Sequence, residues 1–285
     1  MTRRINCPSC PARFEAVVPS RDRHMQSLFG TPMLWAATGE KYAWLACPEC
    51  GSRFVAVTDR PFKPGPDGNA EVLAVARAYV EAAGLPPLTE ADRQKLTTDV
   101  GREIATFYEK AKSDPDDPDV QSSYFAFRAE VKAQHEALRK AGFELLPWDG
   151  LGQPYSNSDE MRRDVMKNKR LFFFKTIEGM APHALLPPED NDRFRAVHDV
   201  FGHAMGGHGF GPQGETNAFR DHYQMFSPTA RKAMATESLG QNAWFNYSKH
   251  NEGRPSAQRD YPEQHALLLK PELYEDLVQS VFEAL

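Results

Sequence analysis

The chain has no cysteine beyond residue 50, no apolar run near the length of a membrane span, and no strong excess of either charge. A bilayer crossing takes ~18–20 consecutive apolar residues, so an integral membrane role is excluded. The first ten residues carry two arginines with no apolar stretch behind them, which is not the pattern of a secretory signal. The expectation is therefore a cytoplasmic protein. Net charge is −5 over 285 residues. Residues 1–66 hold nine Lys/Arg against five Asp/Glu, so the rest carries −9. Nucleic-acid binders concentrate basic charge on one face, and neither part does. Docking of protein or nucleic acid through the first segment is only weakly supported, and a small-molecule substrate suits the remainder better.

The four cysteines form two pairs, C-P-S-C at Cys7 and Cys10 and C-P-E-C at Cys47 and Cys50. A two-residue gap lets both sulfurs of a pair reach one ion, and two such knuckles complete a tetrahedral four-thiolate shell. The pattern predicts a structural zinc, which would hold together a segment too small for a hydrophobic core of its own. A closed shell has no open position for substrate, so chemistry is expected elsewhere.

The expected fold is mainly α, a helical catalytic domain preceded by a small β-rich zinc ribbon. The ribbon spans residues 1–60, with strands at Arg13–Val18 and Arg53–Thr58. A Pro- and Gly-rich linker follows at residues 61–69, and the helical domain at 70–285. Helices are expected over Ala70–Ala83, then from a capping residue at Thr89 with Leu96, Val100, Ile104 and Phe107 on one face, and then through Val120, Tyr124, Phe127, Val131 and Leu138 to Gly142. Leu171–Lys175 predicts a buried strand. Later helices are expected at Asp192–Met205, Glu215–Phe226, Thr229–Lys249 and Pro271–Leu285. Trp244, Phe245 and Tyr247 are expected to pack the core.

Chemistry-bearing residues crowd into Arg193–Tyr247. There is no His-Glu-x-x-His, the zincin signature. His198 and His203 are instead five residues apart, about 140° on a regular helix, with Gly202 angularly between them. Two imidazoles and one carboxylate on one face of an Fe(II) ion leave positions open for oxygen and substrate. Glu237, in an apolar surround, is the preferred third ligand and Glu215 its rival. Asp199, one helical turn before His203, could hold that imidazole or a water. Gln241 shares the face of Glu237. Gln241, Asn242 and His222 are candidate catalytic groups, with His208 and His222 placed around the metal or toward substrate.

The string VHDVFGHA followed by ATESLG resembles the pterin-dependent aromatic amino acid hydroxylases, with Asp199 where that family carries glutamate. The resemblance implies iron ligated by His198, His203 and Glu237, and an O2-dependent hydroxylase or monooxygenase. The reductant is unknown, a pterin being one candidate. Two alternatives stand beside it. An HD-type metal-dependent phosphohydrolase would pair His198-Asp199 with His183 upstream and Asp221 or Asp260 downstream. A zinc-ribbon adaptor would carry no enzymatic activity.

Overall fold

A computed structural model describes residues 64–278 except 66, 90–95 and 177–182, together with Glu49 and five strand segments before residue 58. The chain divides into two compact units, Met1–Phe62 with Pro86–Asp92 and Gln279–Leu285, and Lys63–Leu85 with Arg93–Val278. It is mainly helical, and among the described residues no helix is long and apolar enough to cross a membrane.

In the first unit β1 (Thr2–Asn6) pairs antiparallel with β2 (Arg13–Val17), Thr2 opposite Val17 and Asn6 opposite Arg13. A separate antiparallel sheet has the order β3 (Leu34–Trp35), β4 (Lys41–Ala46), β5 (Arg53–Val57). Cys7 and Cys10 fall between β1 and β2 in sequence, and Cys47 and Cys50 between β4 and β5. The zinc expectation for these four lies outside the described residues.

The second unit is helical because its apolar residues recur at three and four, and because several helix starts have a side chain that accepts from their free N–H groups. The Asn69 side chain accepts from the N–H groups of Glu71 and Val72 at the head of α1 (Ala70–Ala82). The next helix, α2 (Thr98–Lys110), does not begin at Thr89 as expected. Its N-cap is Thr97, whose Oγ1 accepts from Val100 N at 3.3 Å, and Leu96 is buried just ahead of the cap. α3 (Pro118–Lys140) starts on Asp117 with proline in its first turn and ends before Gly142 at φ +87°, a left-handed position that glycine takes without strain. Its stripe of Val120, Tyr124, Phe127, Val131 and Leu138 is buried, and Gln134 is buried on the same stripe.

β6 (Glu144–Trp148) pairs in parallel with β7 (Arg170–Phe174), and α4 (Ser158–Asn168) lies between them in the chain. Parallel neighbours need such a crossover. In β7, Leu171 and Phe173 are buried and their neighbours half-buried, as a strand covered on one face requires. α5 (Pro188–His198) continues into a π-turn, Asp199–Ala204, and α6 (Pro212–Tyr223) packs along that turn. The helix expected over Thr229–Lys249 is a continuous run of α7 (Pro228–Met234), a second π-turn at Ala235–Gly240 and α8 (Gln241–Tyr247). α3 packs against α5 and α7, and α2 against α8. Within α8 only Ala243 is buried; Trp244, Phe245 and Tyr247 are half-buried rather than core. The last expected helix is a 3-10 turn at Pro271–Leu273 followed by α9 (Glu275–Val278), up to the end of the described residues.

Candidate metal centre

The two histidines meet because the helix carrying them changes pitch. A π-turn closes i→i+5 hydrogen bonds, so residues five apart come to lie over one another rather than on divergent faces. Met205 N bonds to Val200 O in that pattern. The His198 and His203 rings stand edge to face with centroids 5.3 Å apart. Gly202 allows α6 to approach: a Cβ there would sit 3.1 Å from Ala218 O and 3.2 Å from both Ala218 Cβ and His198 Cε1.

That close approach brings in Glu215, from the first turn of α6. Its Oε2 lies 3.4 Å from His203 Nε2 and 3.9 Å from His198 Nε2. The three ligand atoms all fall within 4.8 Å of one another. Donors ~2.1 Å from a common ion stand roughly 3.0–3.4 Å apart, so the observed spacing is close to that of a shared ion. The neighbours of the Glu215 carboxylate are the two imidazoles, which hydrogen-bond it where no ion is present. Burial pushes the Glu215 carboxyl up, but His203 and His198 outweigh it and hold the group down at about 2. Burial pulls His203 down, and Glu215 with Asp199 overcomes this to leave it raised. Asp199 is the fourth ionisable group here; burial raises its carboxyl against the opposing pull of His203 and His198.

An anion facing two imidazoles in a partly buried setting fits a divalent cation, with the nitrogens as neutral donors and the carboxylate as charge balance. The side chains of His198 and Glu215 keep 12% and 19% of their surface, while His203 keeps 1%. One side of the cluster is thus open, and the exposed Phe210 ring stands edge-on to His203 at 5.1 Å.

Behind His198, on the side away from Glu215, its Nδ1 is 3.2 Å from His222 Nδ1. His222 is fully buried, stacked on Phe194 and flanked by Phe201 and Phe226. Its Nε2 is 2.7 Å from Gln134 Oε1, and Gln134 Nε2 donates to Met225 O at 3.2 Å. Burial, then the neighbouring His198 and His203, push His222 well below the ordinary histidine range. His222 therefore supports His198 and does not face substrate.

The preferred third ligand is corrected by the geometry: the carboxylate grouped with the two histidines is Glu215, not Glu237. In the second π-turn Glu237 accepts from Tyr124 Oη at 2.5 Å on Oε1 and from Gln241 Nε2 at 2.6 Å on Oε2. His183 Nε2 is 3.3 Å from the same Oε1, and both side chains are sealed from solvent. Polar groups of the chain itself occupy both oxygens of this carboxyl, while the neighbouring His183 Nε2 makes no hydrogen bond. Gln241 does share the face of Glu237. Asn242 instead accepts from Asn246 at 2.9 Å.

His208 Nε2 is 2.6 Å from Asp221 Oδ2, a buried pair for which Gly206 makes room, since a Cβ there would fall 2.3 Å from His208 Nε2. Sequence reasoning missed Gln134 and the support given by Tyr124 and His183. Gln134 left a signal, a polar residue on the apolar stripe of α3. Tyr124 left none, because a tyrosine on such a stripe looks like any other core aromatic. No family model, no curated protein and no solved structure matches this chain.

Proposed function

We propose that the protein is a mononuclear non-haem Fe(II), O2-dependent hydroxylase, with His198 Nε2, His203 Nε2 and a Glu215 oxygen as ligands, and with a structural zinc at Cys7, Cys10, Cys47 and Cys50. The observation that carries the reading is the convergence of two imidazoles and one carboxylate on an open-sided cluster, the donor set typical of non-haem Fe(II) oxygenases. When bound, iron supplies the oxygen activation by which one atom of O2 enters a C–H bond and the other leaves as water, with two electrons and two protons from a reductant. The reductant is a small two-electron donor, and the resemblance to the aromatic amino acid hydroxylases suggests a pterin.

The residues of the chain set the stage for that chemistry. Glu215 balances charge, His198 and His203 bring neutral nitrogens, and Phe210 offers an apolar wall at the mouth for an organic substrate. Asp199 is placed beside the imidazoles to orient them or a water. An HD phosphohydrolase draws less support. The partners it needs are engaged elsewhere, His183 with Glu237, Asp221 with His208, and Asp260 with His250. A pure adaptor role leaves the three-ligand cluster without a purpose.

The test is anaerobic reconstitution with Fe(II), followed by metal analysis and electron paramagnetic resonance of the nitric oxide adduct. One iron and one zinc per chain are expected, with iron and reductant-dependent oxygen uptake lost in His198→Ala, His203→Ala and Glu215→Ala. Iron content unchanged in those variants, or no oxygen uptake by the iron-loaded wild type with any two-electron donor, overturns the proposal.

A further inference from the structure

We infer that Gln134 and His222 are positioning residues that hold His198 in the tautomer able to bind a metal through Nε2. The inference rests on the ligand assignment above but not on the identity of the metal.

The argument runs inward from a group with no freedom. A backbone carbonyl can only accept, so Met225 O takes a hydrogen from the Gln134 side-chain amide and fixes which way that amide points. Gln134 Oε1 is then the atom toward His222, and an amide oxygen can only accept, so His222 carries hydrogen on Nε2. Among the described residues His222 is surrounded by Phe194, Phe201, Phe226, Gln134 and His198 and touches no carboxylate, so it is neutral. A neutral imidazole has one hydrogen, which leaves His222 Nδ1 as a bare acceptor. Across the 3.2 Å contact His198 must therefore donate from Nδ1. With Nδ1 committed as a donor, Nε2 is the nitrogen left for a metal, on the side of Glu215 and His203. Metal-binding histidines depend on their other ring nitrogen having a fixed partner, which sets both tautomer and ring orientation. Here the partner is a second histidine, itself polarised by an amide from α3. Gln134 thus acts on the metal site across two hydrogen bonds without touching a ligand atom.

A buried amide on an apolar stripe is costly unless it has such a task or a complete set of partners. Replacing Gln134 by leucine leaves His222 free to carry its hydrogen on Nδ1. His198 Nδ1 must then accept, and its hydrogen moves to Nε2, where it blocks the metal.

Two measurements test this. In metal-free wild type, 15N chemical shifts of the imidazoles are expected to show His198 protonated on Nδ1 and His222 on Nε2. With cobalt(II) as probe, read by its visible absorption, Gln134→Leu is expected to weaken binding ~10–100-fold, the usual cost of removing such outer support. His222→Leu should weaken it at least as much. His222→Asn, which keeps an acceptor oxygen near the Nδ1 position, should recover most of the affinity. Wild-type His198 protonated on Nε2 overturns the inference, and so does undiminished cobalt affinity in a folded Gln134→Leu. The nitrogen shifts need no variant, so a misfolded substitution leaves the inference exposed to test. Absence of cobalt binding by the wild-type chain instead removes the ligand assignment, and is distinguished by the missing signal before any substitution is made.

Discussion

Two π-turns each present a buried glutamate or histidine pair, and they do opposite things with it. The first, Asp199–Ala204, sets His198 and His203 beside Glu215 with two of the three side chains still touching solvent. The second, Ala235–Gly240, sets Glu237 among Tyr124, Gln241 and His183 in a sealed interior. Both oxygens of Glu237 already accept from a hydroxyl and an amide, whereas His183 Nε2 stands 3.3 Å away without a hydrogen bond of its own. Glu215 faces imidazole nitrogens at 3.4 and 3.9 Å, donors that could equally turn their lone pairs to a shared ion. The difference teaches that a carboxyl group is assigned by the donors around it. A π-turn marks both places, as π-turns frequently mark functional sites, yet among the described residues only the first groups three side chains that could hold a metal.

The sharpest way to break the comparison is to remove each glutamate in turn. Glu215→Ala should lower metal affinity by more than the ~100-fold that loss of outer support can cost, because a ligand itself is gone; Glu237→Ala should leave affinity nearly unchanged. Equilibrium dialysis with cobalt(II) measures both, and a reversed order would restore Glu237 as the ligand. Next in size, Glu237→Ala should destabilise the fold by about 2 kcal/mol in denaturant unfolding, since it leaves the buried Tyr124 hydroxyl only its longer contact to His265 O and takes the partner from the half-buried Gln241 amide. Glu215→Ala should cost the metal-free protein less than that.

A smaller effect concerns pH in the metal-free protein. Glu215 is depressed to about 2 from 4.5, so its contribution to stability is present above pH 4.5 and fades as pH falls toward 2. His203 is raised above 6.5, so its contribution is full below 6.5 and is lost as pH rises through its elevated value. The pair should stabilise the metal-free fold most between pH 4.5 and 6.5, and thermal unfolding of wild type against Glu215→Gln across that range would show it. Metal binding should weaken as pH falls through the raised value of His203, which must give up its proton to bind. The smallest change expected is Gly202→Ala. Its Cβ would press on the Ala218 backbone and on His198 at 3.1–3.2 Å, so a loss of metal affinity below ~10-fold is expected, since crowding shifts a ligand without removing it. Titration with cobalt(II) reads it directly.

Much of the helical unit could be read in advance because local rules governed it. The stripe through Val120, Tyr124, Phe127, Val131 and Leu138, the stop at Gly142 and the strand ending in Phe174 follow from periodicity and turn chemistry alone. The start of α2 was misplaced because Thr89 has the same capping chemistry as Thr97, and it is Thr97 whose side chain caps α2. The candidate site was half legible. His198, His203 and Gly202 announced themselves by residue type, but a regular helix would have splayed the two imidazoles. The choice between Glu215 and Glu237 turned on which helices lay beside which, and spacing along a chain does not carry that information.

Residue order by itself determined where most of the helices of this protein run and that the candidate ligands lie within one short segment, Arg193–Tyr247, because amphipathic spacing and capping act over a few residues. The helix α4 (Ser158–Asn168) and the start of α2 escaped it. Tertiary structure alone decided the pitch change that aligns His198 with His203, the approach of α6 that delivers Glu215, and the burial of Gln134 behind His222. Those outcomes depend on contacts between residues as many as 88 positions apart, such as Gln134 and His222, and no local preference of either residue specifies them.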